Sequence, residues 1–184
     1  MAESAFIACV PEAEPYVAHL RAQFDPSAKL GVPAHITLLY PFMAPELIGT
    51  AVLERARAAV AATHSFTFTL ASVSRFPGPI YLAPEPAAPF IELTKRLVRQ
   101  FPQFPPYSGQ YETIVPHLTV AHGGSLEHSR VETELLNSLS AGIACSCSEL
   151  VLIENASGRW KHMHAFPLST QTLDRTRYHV SRFG

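Results

Sequence analysis

A short segment that occurs twice constrains the fold of this chain more than any other feature. Residues 32–38 read Val-Pro-Ala-His-Ile-Thr-Leu, and residues 115–120 read Val-Pro-His-Leu-Thr-Val. Each copy has Val-Pro, a histidine, an aliphatic residue, a threonine and a second aliphatic residue, although the first copy has one more residue between proline and histidine. His35 and His117 are 82 residues apart (117 − 35), nearly half of the 184-residue chain. This spacing predicts two related half-lobes.

Both copies alternate polar and apolar residues in the manner of a β-strand. Because successive strand side chains point to opposite faces, His35 and Thr37 share one face of the first copy. His117 and Thr119 likewise share one face of the second copy, and the aliphatic residues are predicted to face the core. If the two strands lie side by side, two imidazoles and two hydroxyls meet in one cleft. The alternative is that each copy is an ordinary amphipathic strand whose polar face meets solvent.

Helix and strand patterns are mixed along the rest of the chain. Apolar residues recur at helical spacing in four segments, 16–24, 47–59 (opened by Pro45), 90–101 and 131–139. Strand patterns are predicted in seven segments, 4–10, 35–42, 66–70, 80–83, 113–122, 149–155 and 160–168. These patterns predict an α+β fold with antiparallel or mixed sheets. Since no low-complexity linker divides the chain, we predict a single domain over residues 1–184, made of two half-lobes.

Composition and charge narrow the class of partner. Apolar residues make up 47% of the chain and charged residues 16%, which argues against a disordered protein. The formal net charge is −1 and no basic run stands out. Proteins that bind long duplex nucleic acid usually carry a basic patch, so this sequence does not favour such a partner. A small phosphorylated ligand fits this charge better.

Cysteine usage and hydropathy predict the compartment. The three cysteines, Cys9, Cys145 and Cys147, are too few and too oddly numbered for a secreted disulfide framework. The apolar run at 5–10 is too short for a signal peptide, and no stretch approaches the ~20 apolar residues of a membrane helix. The sequence predicts a cytoplasmic protein that does not associate with membranes.

A pair of histidines can supply the chemistry that phosphodiester cleavage needs. The reaction takes a base for the attacking oxygen and an acid for the leaving oxygen, and two imidazoles titrating near neutrality can provide both. Threonine hydroxyls can donate hydrogen bonds to the non-bridging phosphoryl oxygens, where charge grows in the transition state. Such an arrangement requires no metal and no cofactor.

A few other residues are candidates for the site. Tyr81 alternates with apolar neighbours and Phe76 lies in the turn before it, so both are candidates for stacking on a base, with ordinary rim aromatics as the alternative. A metal site built from His122, His162 and His164 is a weaker interpretation, because acidic or cysteine partners do not occur at a recognisable spacing. We predict no metal site.

The two motifs, His35-Ile36-Thr37-Leu38 and His117-Leu118-Thr119-Val120, resemble those of the 2H phosphoesterase superfamily, also called the 2′-5′ RNA ligase-like or cyclic phosphodiesterase family. The order of elements around the motifs also resembles that family over most of the chain. The resemblance implies a bilobal, pseudo-two-fold symmetric fold with two mainly antiparallel sheets, flanked by helices, around a central cleft. It implies His35 and His117 as acid and base, and Thr37 and Thr119 as phosphate ligands.

The implied activity is a metal-independent hydrolase for 2′,3′-cyclic phosphates or 2′-5′ linkages in nucleotides or RNA ends. The expected partner is a small nucleotide or an RNA end, and the protein is expected to be a monomer. Two alternatives stay open at this point. One is a non-catalytic module that binds a nucleotide or RNA end in the same cleft, and the other is a metal-dependent hydrolase.

Overall fold

Two four-stranded antiparallel sheets and the helices that cover them make up the fold. The computed structural model describes residues 2–139 and 141–170. Within the first range, only the backbone of residues 125–128 is described. The helices are α1 (Glu14–Phe24), α2 (Pro26–Lys29), α3 (Thr50–Val60), α4 (Ala88–Gln100) and α5 (Ser125–Ser138). The strands are β1 (Ser4–Cys9), β2 (His35–Leu39), β3 (Phe66–Arg75), β4 (Pro79–Glu85), β5 (Leu118–His122), β6 (Ile143–Cys147), β7 (Glu149–Glu154) and β8 (Lys161–Pro167).

The first motif lies in β2 and the second in β5, except that His117 immediately precedes β5, and both strands are at the edges of their sheets. The first sheet has the order β2-β1-β7-β8 and the second the order β5-β4-β3-β6. The run β1-α1-α2-β2-α3 is repeated as β4-α4-β5-α5, in which β4 pairs with β5 as β1 pairs with β2. The α+β class, the antiparallel sheets and the pseudo-two-fold arrangement are therefore confirmed.

The helices of the two halves are exchanged across the molecule. Helix α1 packs against β5, and helix α4 packs against β2, so each motif strand is covered by a helix from the other half. Leu118 and Val120 of β5 are fully buried in a core that spans both sheets, as the strand alternation predicts. Fully burying such a side chain contributes about 1.5–3 kcal/mol. This shared core brings β2 and β5 into contact.

Several predicted elements differ from those of the structure, and three of the differences have a local reason. The strand predicted from residue 113 begins at Leu118, because Pro116 lacks an N–H and restricts the residue before it. The predicted helices do not include α2, whose first turn is capped because Asp25 accepts a hydrogen bond from the Ser27 N–H. Pro45 opens a short 3₁₀ turn, and the longer helix α3 begins at Thr50.

One strand is absent from the predicted set. This is β6, which carries Cys145 and Cys147; their spacing of two is strand-like in the sequence and puts both thiols on the buried face of the strand. Both thiols are buried and unpaired. In the described part of the chain, no helix has the length and hydropathy needed to cross a membrane. The single domain over 1–184 stays a prediction, since residues 171–184 lie outside the described ranges.

Candidate active site

The two motif histidines have the same hydrogen-bond arrangement. His35 Nδ1 lies 2.7 Å from the Pro33 carbonyl oxygen, and His117 Nδ1 lies 2.7 Å from the Val115 carbonyl oxygen. A carbonyl only accepts, so Nδ1 carries the proton in both rings and the neutral imidazole keeps its lone pair on Nε2. In both cases the acceptor is two residues before the histidine. The extra residue between proline and histidine in the first copy therefore does not alter the arrangement.

Burial disfavours the doubly protonated, charged form of both imidazoles. It is the largest cause that lowers the pKa of His35, to about 4, and the nearby charges of Arg21 and His117 act in the same direction. The Pro33 carbonyl opposes this shift but does not outweigh it. Burial also lowers the pKa of His117, assisted by His122. Both rings are therefore neutral at pH 7 in the free protein, with Nε2 ready to accept a proton.

Thr37 and Thr119 lie on the strand faces that carry the histidines. Thr37 pairs across the strands with Ile7 and Thr119 with Tyr81, and both threonines are half-buried. The contact between β2 and β5 puts the two motifs in one neighbourhood, as does Tyr107, which bonds to the Tyr40 carbonyl and lies beside the His117 ring. The structure thus brings together the four residues predicted from the sequence.

Aromatic rings form a wall on one side of His117. Phe76 and Tyr81 stack on each other with centroids 4.2 Å apart, and both meet the imidazole at an edge, at 5.0 and 5.4 Å. Tyr81 is only 8% exposed. Since Phe76 covers Tyr81 and is itself half-buried, Phe76 is the better placed of the two predicted stacking residues to meet a base.

Sequence reasoning missed Tyr107. Its ring lies nearly parallel to the imidazole of His117, with the centroids 6.5 Å apart, and its N–H donates to the Tyr40 carbonyl at 2.6 Å. Burial raises the pKa of this phenol to about 12. Tyr107 follows a Pro-rich stretch without periodicity, which the sequence identifies only as a loop. Its nearness to the second motif was the one available signal.

A buried ion pair, also missed, fixes the approach to the first motif. Arg21 and Asp25 are 2% and 1% exposed, and Arg21 Nη2 lies 2.9 Å from Asp25 Oδ2. The same Nη2 donates to the Val32 carbonyl at 3.2 Å. Two residues further along, the Glu14 carboxylate accepts from the Ala34 N–H at 2.6 Å. These contacts hold the backbone that carries the Pro33 acceptor of His35.

The three histidines of the alternative metal site do not lie together in the structure. His122 lies on β5 of the second sheet, whereas His162 and His164 lie on β8, the edge of the first sheet farthest from β2. Within the described ranges, no three His, Cys, Asp or Glu side chains form a group suited to a metal ion. A third His-x-Ser/Thr sequence, 179–181, lies outside the described residues.

Comparison with known families identifies the family of the chain. A model of the 2′-5′ RNA ligase superfamily matches residues 9–159, which contain both motifs. The chain belongs to the 2′-5′ RNA ligase superfamily. Comparison with curated proteins finds no match.

Solved structures with the same fold agree over nearly the whole chain. TT0787 of Thermus thermophilus has a TM-score of 0.60 at 16% identity, over 92% of this chain and 99% of that chain. Escherichia coli LigT complexed with 3′-AMP has a TM-score of 0.57 at 17% identity, over 91% and 98%. LigT complexed with NADP+ has a TM-score of 0.55 at 19% identity, over 91% and 97%. At these identities the likeness establishes the fold.

Proposed function

We propose that this member of the 2′-5′ RNA ligase superfamily is a metal-independent phosphodiesterase. Its substrates would carry a 2′,3′-cyclic phosphate or a 2′-5′ linkage, as free nucleotides or at an RNA end. The observation that carries the proposal is the matched pair of histidines, each bonded through Nδ1 to the carbonyl two residues before it, which leaves the lone pair on Nε2. A threonine accompanies each histidine on the same strand face.

The proposed reaction uses one imidazole as base and the other as acid. The base takes a proton from the attacking water as its oxygen bonds to phosphorus, and the acid gives a proton to the ribose oxygen as the P–O bond breaks. For a cyclic substrate the products are a phosphomonoester and a free ribose hydroxyl. The hydroxyls of Thr37 and Thr119 donate to the non-bridging oxygens, where such donors strengthen as charge builds.

The nucleotides bound by LigT and the near-neutral charge of this chain support a small nucleotide as the substrate. LigT has been solved with 3′-AMP, with NADP+ and with ATP, which are small phosphorylated nucleotides. The near-neutral chain, with its net charge of −1, agrees with such a ligand. We also propose a monomer that acts in the cytoplasm, in keeping with the free thiols of Cys9, Cys145 and Cys147.

The direct test is turnover of 2′,3′-cyclic and 2′-5′-linked nucleotides, with the products identified by chromatography. We expect a single phosphomonoester isomer from each cyclic substrate. Tight binding of a nucleotide without any product would instead support the alternative, a non-catalytic nucleotide-binding module.

Removing either threonine hydroxyl is expected to weaken catalysis less than removing a histidine. Thr37→Val and Thr119→Val each delete one donor and keep a β-branched shape suited to a strand. A hydrogen bond to a charged group is worth about 1.5–3 kcal/mol, so kcat/KM should fall roughly 10- to 100-fold. Thr37→Ser and Thr119→Ser are the matched controls, since they keep the hydroxyl. Normal turnover by both valine variants would show that the phosphate lies elsewhere.

Activity should persist in excess EDTA and follow a bell-shaped pH profile. The sequence alone predicts a maximum near neutrality, but burial lowers the pKa of both histidines, so we expect the maximum of kcat/KM on the acid side of about pH 6.5. A bound phosphodiester anion favours the protonated imidazole, so the kcat profile should lie at higher pH than the kcat/KM profile. The limbs report the coupled pair. Activity that only added metal restores would refute the mechanism.

A further inference from the structure

A single peptide group lies between the imidazole of His35 and a carboxylate. The Pro33 carbonyl oxygen accepts a hydrogen bond from His35 Nδ1 at 2.7 Å. The N–H of the same peptide unit belongs to Ala34 and donates to Glu14 Oε1 at 2.6 Å. A trans peptide group is planar, and its C=O and N–H point in opposite directions. Two hydrogen bonds, one at each end, therefore fix the plane of this group.

The two elements that carry these bonds are themselves held in place. Ala34 is fully buried, and its carbonyl accepts from the Val10 N–H at 2.8 Å. Glu14 is the first residue of helix α1, where the N-terminus of a helix favours a negative charge. Val17 and Leu20 anchor the same helix in the core. The carboxylate and the peptide group are thus presented to each other by fixed backbone.

The second motif has no counterpart to this arrangement. His117 Nδ1 donates to the Val115 carbonyl at 2.7 Å, but the nitrogen of that peptide unit belongs to Pro116, which has no N–H. A carboxylate therefore has no donor to bind at the far end of that unit. The additional residue of the first copy, Ala34, is the one that supplies the N–H. The two histidines match in their own bonds and differ one bond further away.

A carboxylate at the N–H end makes the Pro33 carbonyl a stronger acceptor. Hydrogen bonds in a chain polarise one another, so negative charge beside the N–H increases the negative charge on the carbonyl oxygen. When Nε2 of His35 takes a proton, Nδ1–H becomes a charged and stronger donor to that oxygen. A carboxylate bonded directly to a catalytic imidazole orients the ring and stabilises its charged form. Here the same influence is exerted through one peptide group.

We propose that Glu14 is a positioning residue that acts on His35 through the peptide group joining Pro33 and Ala34. It fixes the plane of the imidazole and stabilises the protonated ring during turnover, which burial otherwise disfavours. No proton moves through the peptide group, because only its polarisation changes. This inference rests on the proposed function and adds a residue to it.

The first test is kinetic. Glu14→Ala deletes the acceptor, and we expect kcat to fall about three- to tenfold, the value of one hydrogen bond, with KM within about twofold. Glu14→Gln keeps an acceptor oxygen without the charge and should lie between Glu14→Ala and the wild type. Glu12→Ala is the matched control, because the Glu12 carboxylate also accepts from a backbone N–H, that of Ser146 at 3.0 Å on β6. Its kcat should equal that of the wild type.

Two kinetic results would overturn the proposal. One is a wild-type kcat in Glu14→Ala. The other is an equal loss in Glu12→Ala, which would show a general effect of removing a carboxylate from this part of the fold. Circular dichroism and thermal unfolding check that each variant is folded.

The second test reads the hydrogen bond itself. The Nδ1 proton resonances of His35 and His117 are measured by NMR at a pH where both rings are neutral, and are assigned from their loss in His35→Ala and His117→Ala. Glu14→Ala should move the His35 resonance upfield, Glu14→Gln should move it less, and the His117 resonance should stay in place. An unmoved His35 resonance in folded Glu14→Ala, or an equal movement of both resonances, would overturn the proposal. A wild-type resonance in Glu14→Gln would overturn the role of the charge.

The NMR measurement needs no substrate, so it separates this inference from the proposed function. If the wild-type protein does not turn over any cyclic or 2′-5′-linked nucleotide, the phosphodiesterase proposal fails, and the resonances still decide whether Glu14 acts on His35. If the wild type is active and the Glu14 variants keep its kcat, only the inference about Glu14 fails.

Discussion

Replacing either motif histidine with alanine is expected to abolish most turnover while leaving the fold intact. Each step of acid–base catalysis is worth about 10²–10⁴-fold, so His35→Ala and His117→Ala should each lower kcat by that range. His162→Ala is the matched control, because His162 is an exposed histidine on the far edge of the first sheet. Kinetics and circular dichroism should be measured on the same preparations. A folded and fully active variant would remove that histidine from the mechanism.

His35→Ala also has an expected signature in stability. The folded-state pKa of His35 is about 4, below the unfolded value near 6.5, so the unfolded chain binds the extra proton more readily. The contribution of neutral His35 to the free energy of unfolding is therefore fully present above about pH 6.5 and is lost as the pH falls toward 4. The alanine variant lacks this loss. Thermal unfolding at about pH 7.5 and about pH 4.5 should show a smaller acid-induced decrease in Tm for His35→Ala than for the wild type.

Of the substitutions described, replacement of the buried Arg21 is expected to lower the free energy of unfolding the most. Arg21→Met keeps a long apolar stem but leaves the Asp25 carboxylate buried without its cation and the Val32 carbonyl without that donor. Breaking a buried pair from one side costs about 3–5 kcal/mol. Urea unfolding should report a decrease of that size in the free energy of unfolding. Because the network holds the chain before His35, activity measured below the unfolding transition should fall as well.

Two further variants calibrate this result. Arg99→Met removes an exposed arginine that is 64% accessible and paired with Glu92, and such surface pairs contribute about 0–1 kcal/mol. The double variant Arg21→Met/Asp25→Asn should lose less stability than the two single losses added together, since no unpaired charge stays buried. A loss below about 1 kcal/mol for Arg21→Met would contradict the assigned role of the ion pair.

The sequence predicts the motif strands well because the alternation of strand side chains depends only on neighbouring residues. Alternation alone puts His35 with Thr37 and His117 with Thr119, since strand geometry fixes which neighbours share a face. The same reasoning fails at residues 113–117, where Pro116 breaks the strand before His117. It also does not separate β6, a five-residue strand whose core-facing side chains are mostly small thiols, as an element of its own, although the spacing of Cys145 and Cys147 is strand-like. Short elements with weak hydrophobic contrast need their neighbours in the sheet to define them.

The sequence by itself determined the class of chemistry: two His-x-Thr faces, half a chain apart, on strands with an aliphatic side. Only the tertiary structure decided that these faces meet, because helices α1 and α4 are exchanged between the halves and draw β2 and β5 together. It also supplied the residues that orient them. Arg21 reaches Val32 across 11 residues of chain, and the Tyr107 N–H reaches the Tyr40 carbonyl across 67 (107 − 40). Contacts over such separations leave no periodic trace in the sequence, since they depend on how distant segments pack.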